Sequence, residues 1–488
     1  MMTPIALLFV TAAVTGAAQA APMTGAAQAV PPSAAPSGAP RASAQPSASP
    51  TTPGSPPTSL PPGTNLAEVP ESPAANRVLT LPLATETALA SQPLLRQAQA
   101  QSAAADARAD VARAPLLPQV NANATYQRAT ANVAPRATTA PTQISTAGSS
   151  FTTFDSWNFG VSASQLIYDF GQSRGRWHAA EATAEGQHES ARATRLTTIL
   201  NVRTAYFQAR AQKSLIAVAR ETLANQERHL EQIKGFVEIG TRPAIDLAQS
   251  RTDVANAKVQ VIISENAYAT AKAQLNQAMG APQPTDYDVA DETLKPLSEE
   301  DEPLDALVQI AASARPELAA LDKQVQAQEY QLRSARAGYG PSLGASTGFT
   351  DSGQQLDNLR WNWNVAVSVN WSLFNGLQVP AQVREAGANL IAVKAQRDAV
   401  EQQLRFEVEQ ARLAVRSSKA STLAVEEALV NSRERLRLAE GRYQTGAGSV
   451  IELADAQIAT ASAAAQRVNA DFILASARAQ LMKALGRE

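Results

Sequence analysis

Two stretches set an acid at a matched distance behind a glycine: VEIGTRPAIDLAQSRTD at 237–253 and YQTGAGSVIELADAQIA at 443–459. Gly240 and Gly446 have the freedom required of the left-handed residue that follows a helix C-terminus. Pro243 suits the first turn of a new helix, and Asp246 and Glu452 bring negative charge to that helix's positive end. The chemistry on offer is capping and charge, repeated twice. Catalysis has no comparable support. His178, His188 and His229 fall on one helical stretch without a paired nucleophile and read as surface residues. No Gly-rich phosphate loop, Gly-x-Ser-x-Gly or His-Glu-x-x-His occurs. The acids of 286–302, with Glu299, Glu300, Asp301 and Glu302 in a row, lack calcium-loop spacing and read as a solvated connector. With no Cys and only five Met, the chain has no disulfide, no thiolate metal site and no soft Cu(I) site. The expectation is a protein that is not an enzyme and holds no metal or cofactor.

A duplication positions these turns. At an offset of 206, Trp157 to Gly280 matches Trp363 to Gly486 without a gap: Gly240 meets Gly446, Asp246 meets Glu452, and Gln274-Leu275 meets Gln480-Leu481. Upstream the offset is 223, so that Pro93 meets Pro316, Arg113-Ala114 meets Arg336-Ala337, and Pro118 meets Pro341. The difference falls in the Ala/Thr/Ser/Pro-rich stretch 129–155, which makes one loop tip longer than its counterpart. Two copies of a unit near 200 residues are a duplication, not a short-period solenoid.

Each unit reads as helix, strand, loop, strand, long helix, break, helix. Strands are expected at about 118–128 and 156–169, and again at about 341–351 and 361–374. Val120, Ala122, Ala124 and Tyr126 alternate with Gln119, Asn121, Asn123 and Thr125. Trp157, Phe159, Val161, Ala163 and Ile167 alternate with Asn158, Ser162 and Ser164, and Trp363, Val365, Val367, Val369 and Trp371 with Asn364, Ser368 and Asn370. Such period-two patterns face two environments, and strands of about ten residues cross a bilayer when tilted. The alternative is the half-buried strand of a soluble sandwich. Against it, four strands cannot remove their own edges, and the polar face is small and suited to a wet lumen. Trp157, Trp361, Trp363, Trp371 and Tyr168 also lie near strand ends, as membrane-interface aromatics do.

The helices are long. No proline occurs between Pro141 and Pro243 or after Pro380, and no glycine from Gln187 to Lys234. A helix from about Arg176 to Lys234 would measure ~90 Å at 1.5 Å per residue. Ile199, Val202, Tyr206 and Ala209 repeat at coiled-coil spacing, so the helices are expected to pack lengthwise.

Residues 1–20 carry an apolar run from Ile5 to Val14 and then Ala18-Gln19-Ala20, the pattern of a cleaved export signal. TGAAQA recurs at 24–29, which makes cleavage after Ala29 the alternative. Residues 21–77 hold about half of the prolines, and such a segment is expected to stay disordered. The first repeat then spans 78–280, the acidic connector 281–302 and the second repeat 303–488. After the signal no window approaches the roughly 18 apolar residues of a spanning helix. A formal net charge of -2 gives no basic field for nucleic acid.

The conjunction of an export signal, paired strand hairpins, long helices and duplicated Gly-x5-[DE]-Leu turns resembles the TolC-type outer-membrane efflux protein family. The Arg-Ala-x-x-x-Pro lead-ins, the YDFG and FNG strand exits, and the QL-x2-A-[ML]-G endings at 274–280 and 480–486 carry the resemblance over about residues 80–488. It implies a mostly α protein with a transmembrane β-barrel: a homotrimer with four strands per chain, twelve in the closed barrel, and an α-helical tunnel through the periplasm. It further implies an exit duct of a tripartite efflux pump, docked on a periplasmic adaptor and served by an inner-membrane pump. The alternatives are the outer-membrane component of a type I protein secretion system, or a periplasmic adaptor. By the same resemblance Gly240, Thr241, Gly446 and Ala447 would form adaptor-docking tips, and Glu452 and Asp455 an acidic ring at the entrance. Asp246 and Tyr443 would hold the entrance shut. The family pattern has Arg where this chain has Gly448, and Arg242, its repeat equivalent, is the substitute.

Overall fold

The computed structural model describes residues 78–130, 151, 153–282 and 284–488. The expected signal peptide (1–20), the linker (21–77) and most of the longer loop tip lie outside the described residues. The first repeat contributes α1 (Leu81–Ser91), α2 (Pro93–Arg113), β2 (Gln119–Thr130), β3 (Thr153–Tyr168), α3 (Gln172–Glu238) and α4 (Ala244–Met279). The second repeats the order as α5 (Leu304–Ala314), α6 (Pro316–Ala337), β5 (Ser342–Gly353), β6 (Arg360–Asn370), α7 (Gln378–Gln444) and α8 (Val450–Ala484). A two-residue strand before α1, β1 (Val78–Leu79), pairs in parallel with β4 (Asp288–Val289) between the repeats.

The strands form one antiparallel sheet in the order β2-β3-β5-β6, so β3–β5 pairing joins the two repeats. Val120 and Val367 are each 68% exposed and Val161 50%. A sandwich would cover such a row. Val120 pairs with Ala163, Ala122 with Val161 and Phe349 with Trp363, which gathers the apolar side chains on one face. On the other face Gly160 and Gly348 leave room for amides: a Cβ on them would come within 2.6 Å of Asn123 Oδ1 and 2.9 Å of Asn364 Oδ1 respectively.

Three sequence expectations need correction here. A bulge between Leu166 and Tyr168 pairs Tyr168 with Leu343, so Tyr168 rather than Ile167 continues the row begun by Trp157, because an inserted residue exchanges the faces. The last strand ends at Asn370 rather than near 374, which leaves Trp371 just beyond it. The opening helix of each repeat is two helices, separated at Gln92 and Arg315. Pro93 and Pro316 cannot donate a helical hydrogen bond and force the preceding residue into extended geometry.

α3 and α7 are 67 residues each, about 100 Å of helix at 1.5 Å per residue. α3 starts four residues earlier than expected and runs through Gly175 and Gly186. Both glycines face α6, where a Cβ on Gly175 would sit 2.9 Å from Ser334 Cβ; they let two helices touch rather than end one. Two apolar cores occupy equivalent places in the repeats: Val202, Leu275 and Met279 in one, Val408, Leu481 and Leu485 in the other, capped by α1 and α5. A third joins the two turns, around Ile233, Tyr443 and Leu453.

The segment 281–302 is solvated only in part: Asp286, Asp291, Asp301 and Glu302 are exposed, but other acids anchor it. Glu300 is 1% exposed, accepting from Arg478 Nε at 2.7 Å and pairing with Lys419 Nζ at 2.6 Å. Asp288 accepts from Lys213 and from the Tyr268 hydroxyl, each at 2.6 Å. The partners stand on the long helices and close the connector onto them.

Candidate functional site

Both turns end their helices in the same way. Gly240 (φ 75) and Gly446 (φ 79) are left-handed. Gly240 N–H donates to Val237 O and Thr241 N–H to Phe236 O; Gly446 N–H donates to Tyr443 O and Ala447 N–H to Arg442 O. These paired bonds are the Schellman closure of a helix end. A further bond from Gly448 N–H to Arg442 O, 2.9 Å, tightens the second turn. The next helix then starts from an N-cap: Pro243 before α4, one residue earlier than expected, and Ser449 before α8, whose hydroxyl accepts from Glu452 N–H at 3.1 Å.

The side chains brought together at these turns come from both repeats. Tyr443 is 2% exposed and lies edge-on to His229 and Phe236, with ring centroids 5.2 and 6.4 Å away. The Arg242 guanidinium stands over the Tyr443 ring at 4.8 Å, a cation–π contact. Of the expected latch, Arg242 and Tyr443 therefore meet directly. Asp246 makes no ion pair among the described residues; its charge reaches the Tyr443 phenol. Burial raises that phenol above its ordinary value, Arg242 opposes and Asp246 adds to the rise. The hydroxyl has no hydrogen-bond partner among the described residues. Gly448 sits tightly against the preceding turn, where a Cβ would lie 3.0 Å from Tyr443 N. The cation over the Tyr443 ring comes from the other repeat.

Of the two expected ring acids, Asp455 is exposed and unpaired among the described residues, whereas Glu452 accepts from Arg442 Nη1 at 2.9 Å. They are three residues apart on α8 and share a face. Arg442 escaped the sequence reading; the signal was a basic residue in the last turn of a helix, ten positions before an acid across a tight turn. His229 also escaped. It is buried rather than exposed, and burial pushes its imidazole pKa down, with Gln232 and Asp253 opposing. Beside it, a cavity of about 150 Å³ is lined by polar groups including Asn225, Arg228, Glu440 and Gln457. His178 and His188 are surface residues paired with Glu181 and Asp106.

At the other end of the long helices the aromatics sit in two tiers. Trp157, Trp361 and Trp363 lie toward the hairpin tips, and Tyr168 and Trp371 toward the helices. Trp157 packs on Tyr126 with centroids 4.5 Å apart. Trp363 Nε1 donates to Thr347 Oγ1 and Trp371 Nε1 to Tyr339 O, both at 3.1 Å. Among the described residues no helix is long and apolar enough to cross a membrane, and no group of acids and histidines could hold a metal ion.

A family model described as outer membrane efflux protein matches residues 84–281 and 307–487. The chain is 26% identical over 411 residues to a probable efflux pump outer membrane protein, SepC, of Pseudomonas putida, covering 82% of each. It is 25% identical over 421 residues to outer membrane protein TolC of Escherichia coli, covering 81% of this chain and 80% of that one. Among solved structures, outer membrane protein VceC of Vibrio cholerae shares the fold with a TM-score of 0.72 at 18% identity, over 83% of this chain and 96% of that one.

Proposed function

The chain belongs to the outer membrane efflux protein family, and from that premise we propose that it is the exit duct of a tripartite efflux pump. It sits in the outer membrane, and its long helices continue the duct through the periplasm. One observation carries the reading: a four-stranded sheet with an uncovered apolar face, a polar opposite face and aromatics at both ends. Backbone groups in lipid require a closed barrel, and four strands cannot close on themselves. Three chains give twelve strands. Trp361 and Trp371 are ten residues apart along β6 and its exit, roughly 33 Å of strand. A tilt near 40° reduces this to about 25 Å, the height of an outer-membrane apolar belt. The helices offer a matching seam, because Leu423, Val430 and Leu438 stand exposed on α7 at heptad-like spacing.

The turns would then form the periplasmic tips, with Gly240, Thr241, Gly446 and Ala447 meeting a periplasmic adaptor tied to an inner-membrane pump. Three copies bring Glu452 and Asp455 together as six carboxylates around the entrance. Arg442 offsets each Glu452, so the open charge rests on Asp455 and favours cations over anions. Arg242 on Tyr443, with Asp246 behind, latches the two repeats at the tip. The duct reads size and charge, and the inner-membrane pump selects the cargo. Deleting the chain from its host should raise accumulation of a fluorescent pump substrate several-fold, and the intact chain should reverse this. Unchanged accumulation, with the protein soluble in the periplasm without detergent, would overturn the proposal.

A further inference from the structure

Cross-strand pairing arranges the polar face of the sheet in rungs, and one rung carries a charge. Arg360 stands opposite Ser352, Ser352 opposite Asn158, and Asn158 opposite Thr125. Toward the helices the rungs continue through Asn362, Asn364 and Ser368 of β6 and bring amides, hydroxyls, glycines and a few apolar side chains. The four strands hold four charged residues in all. Three of them, Arg128, Asp155 and Asp351, stand on the apolar face: Arg128 pairs with Asp155 at 3.6 Å, and Asp351 lies opposite Phe159 on one side and Trp361 on the other. The fourth, Arg360, is on the polar face. It is exposed and forms no ion pair or hydrogen bond among the described residues, and Asp357 in the turn before it does not meet it.

We propose that three copies of Arg360 form a basic ring around the outer mouth of the duct, which enriches anions there and makes the duct conduct unequally in its two directions. The ring rests on the twelve-stranded duct proposed above, in which the polar face lines the lumen and the hairpin tips point outward. Arg360 opens β6 beside Trp361 of the outer aromatic tier, so its charge stands level with the lipid interface. Twelve strands about 4.8 Å apart and tilted near 40° make a wall about 12 Å from the axis. The Debye length is about 10 Å in 0.1 M salt, and the guanidiniums reach inward from the wall, so their three fields overlap across the mouth. In 1 M salt that length falls to about 3 Å, and the ring is screened.

The far end of the duct has the opposite sign, because Asp455 carries the open charge of the entrance. Cations are enriched at that end and anions at the mouth. Such a duct conducts best when the field drives both ions toward its middle. With the acidic end inside and the basic end outside, this happens when the periplasmic side is positive. The reverse field empties the middle and the current falls. The entrance, as the narrow end, still sets the overall preference for cations. Arg360 sets the direction in which current flows more easily, and it lowers the concentration of external cations in the mouth.

The test compares currents at equal and opposite voltages through the full chain in a planar lipid bilayer. The long helical end cannot cross the bilayer, so adding protein to one side fixes its orientation. In 0.1 M KCl the parent should pass at least about 1.5-fold more current with the periplasmic side positive, and the ratio should fall to about one in 1 M KCl. Arg360→Gln should abolish the asymmetry in 0.1 M KCl, and Arg360→Lys should keep it. Arg128→Gln, which removes the arginine of the apolar face, should leave it intact. The chain contains no cysteine, so Arg360→Cys can be labelled after assembly if Arg360→Gln fails to assemble: a cationic methanethiosulfonate should restore the asymmetry and an anionic one should not. Symmetric currents in the parent at 0.1 M KCl, or an asymmetry that neutralising Arg360 leaves unchanged, overturn the ring and leave the duct standing. No conductance from a folded trimer overturns the duct and the ring with it.

Discussion

Glu300 shows what single residues decide in this protein. Burial pushes its carboxyl pKa up, but hydrogen bonds from Lys419, the Leu297 N–H and Arg478 outweigh that and hold it below its ordinary value. Removing it leaves two cations facing an empty site, and Glu300→Ala should cost about 3 kcal/mol, the low end for a broken buried pair because Lys419 remains one-third exposed. The pH dependence has a definite sign. A carboxyl whose folded pKa lies below its unfolded one stabilises fully above the unfolded value, about 4.3, and that stabilisation is lost as pH falls through the folded value. Thermal unfolding of the parent and of Glu300→Gln should therefore differ most at neutral pH, and the gap should shrink only as pH falls below about 4.3 and through the lowered folded value. A gap that widens on acidification would contradict the assignment. None of this was legible in the sequence, where four consecutive acids read as solvated. The cations that meet Glu299, Glu300 and Asp301 are more than a hundred positions away, and proximity across such a separation leaves no local pattern. His229 was missed for the same reason, since its cover comes from Tyr443 of the other repeat.

At the scale of elements, the strands and long helices were readable because each keeps one period over many residues, and because the duplication supplies every signal twice. Local exceptions were less legible. The bulge before Tyr168 has no composition cue, and Gly175 looks like a helix stop until α6 is placed against it. The two roles of glycine can be separated by experiment. Gly175→Ala gains helix propensity of roughly 1 kcal/mol but drives a Cβ to within 2.9 Å of Ser334 Cβ, and overpacking of this kind costs about 1–3 kcal/mol. Gly235, on α3 with nothing within 4 Å, has only the propensity to gain. Denaturant unfolding should therefore show Gly175→Ala destabilised or unchanged and Gly235→Ala stabilised by about 0.5–1 kcal/mol. Stabilisation by Gly175→Ala equal to that by Gly235→Ala would remove the close-approach argument for α3 and α6.

For the whole molecule, the proposed duct makes one chain a third of the assembly. Among the described residues its sheet has two unpaired edges and α7 an exposed seam, and the proposal assigns closure, lumen and entrance to the contacts among copies. The duplication made this arithmetic accessible from sequence, and it also led from Gly448 to its repeat equivalent Arg242, whose guanidinium stands over the Tyr443 ring. The burial of Tyr443 between His229 and Phe236 was not legible, because those partners belong to the other repeat. Conductance in a planar lipid bilayer reports duct and latch together. Protein purified in detergent from the outer membrane should insert and give small, uniform current steps, larger for cations than for anions. Arg242→Ala should enlarge the steps several-fold by freeing Tyr443. Absence of any conductance from a folded trimer, or steps in the parent already as large as those of Arg242→Ala, would contradict a membrane-spanning duct closed at its turns.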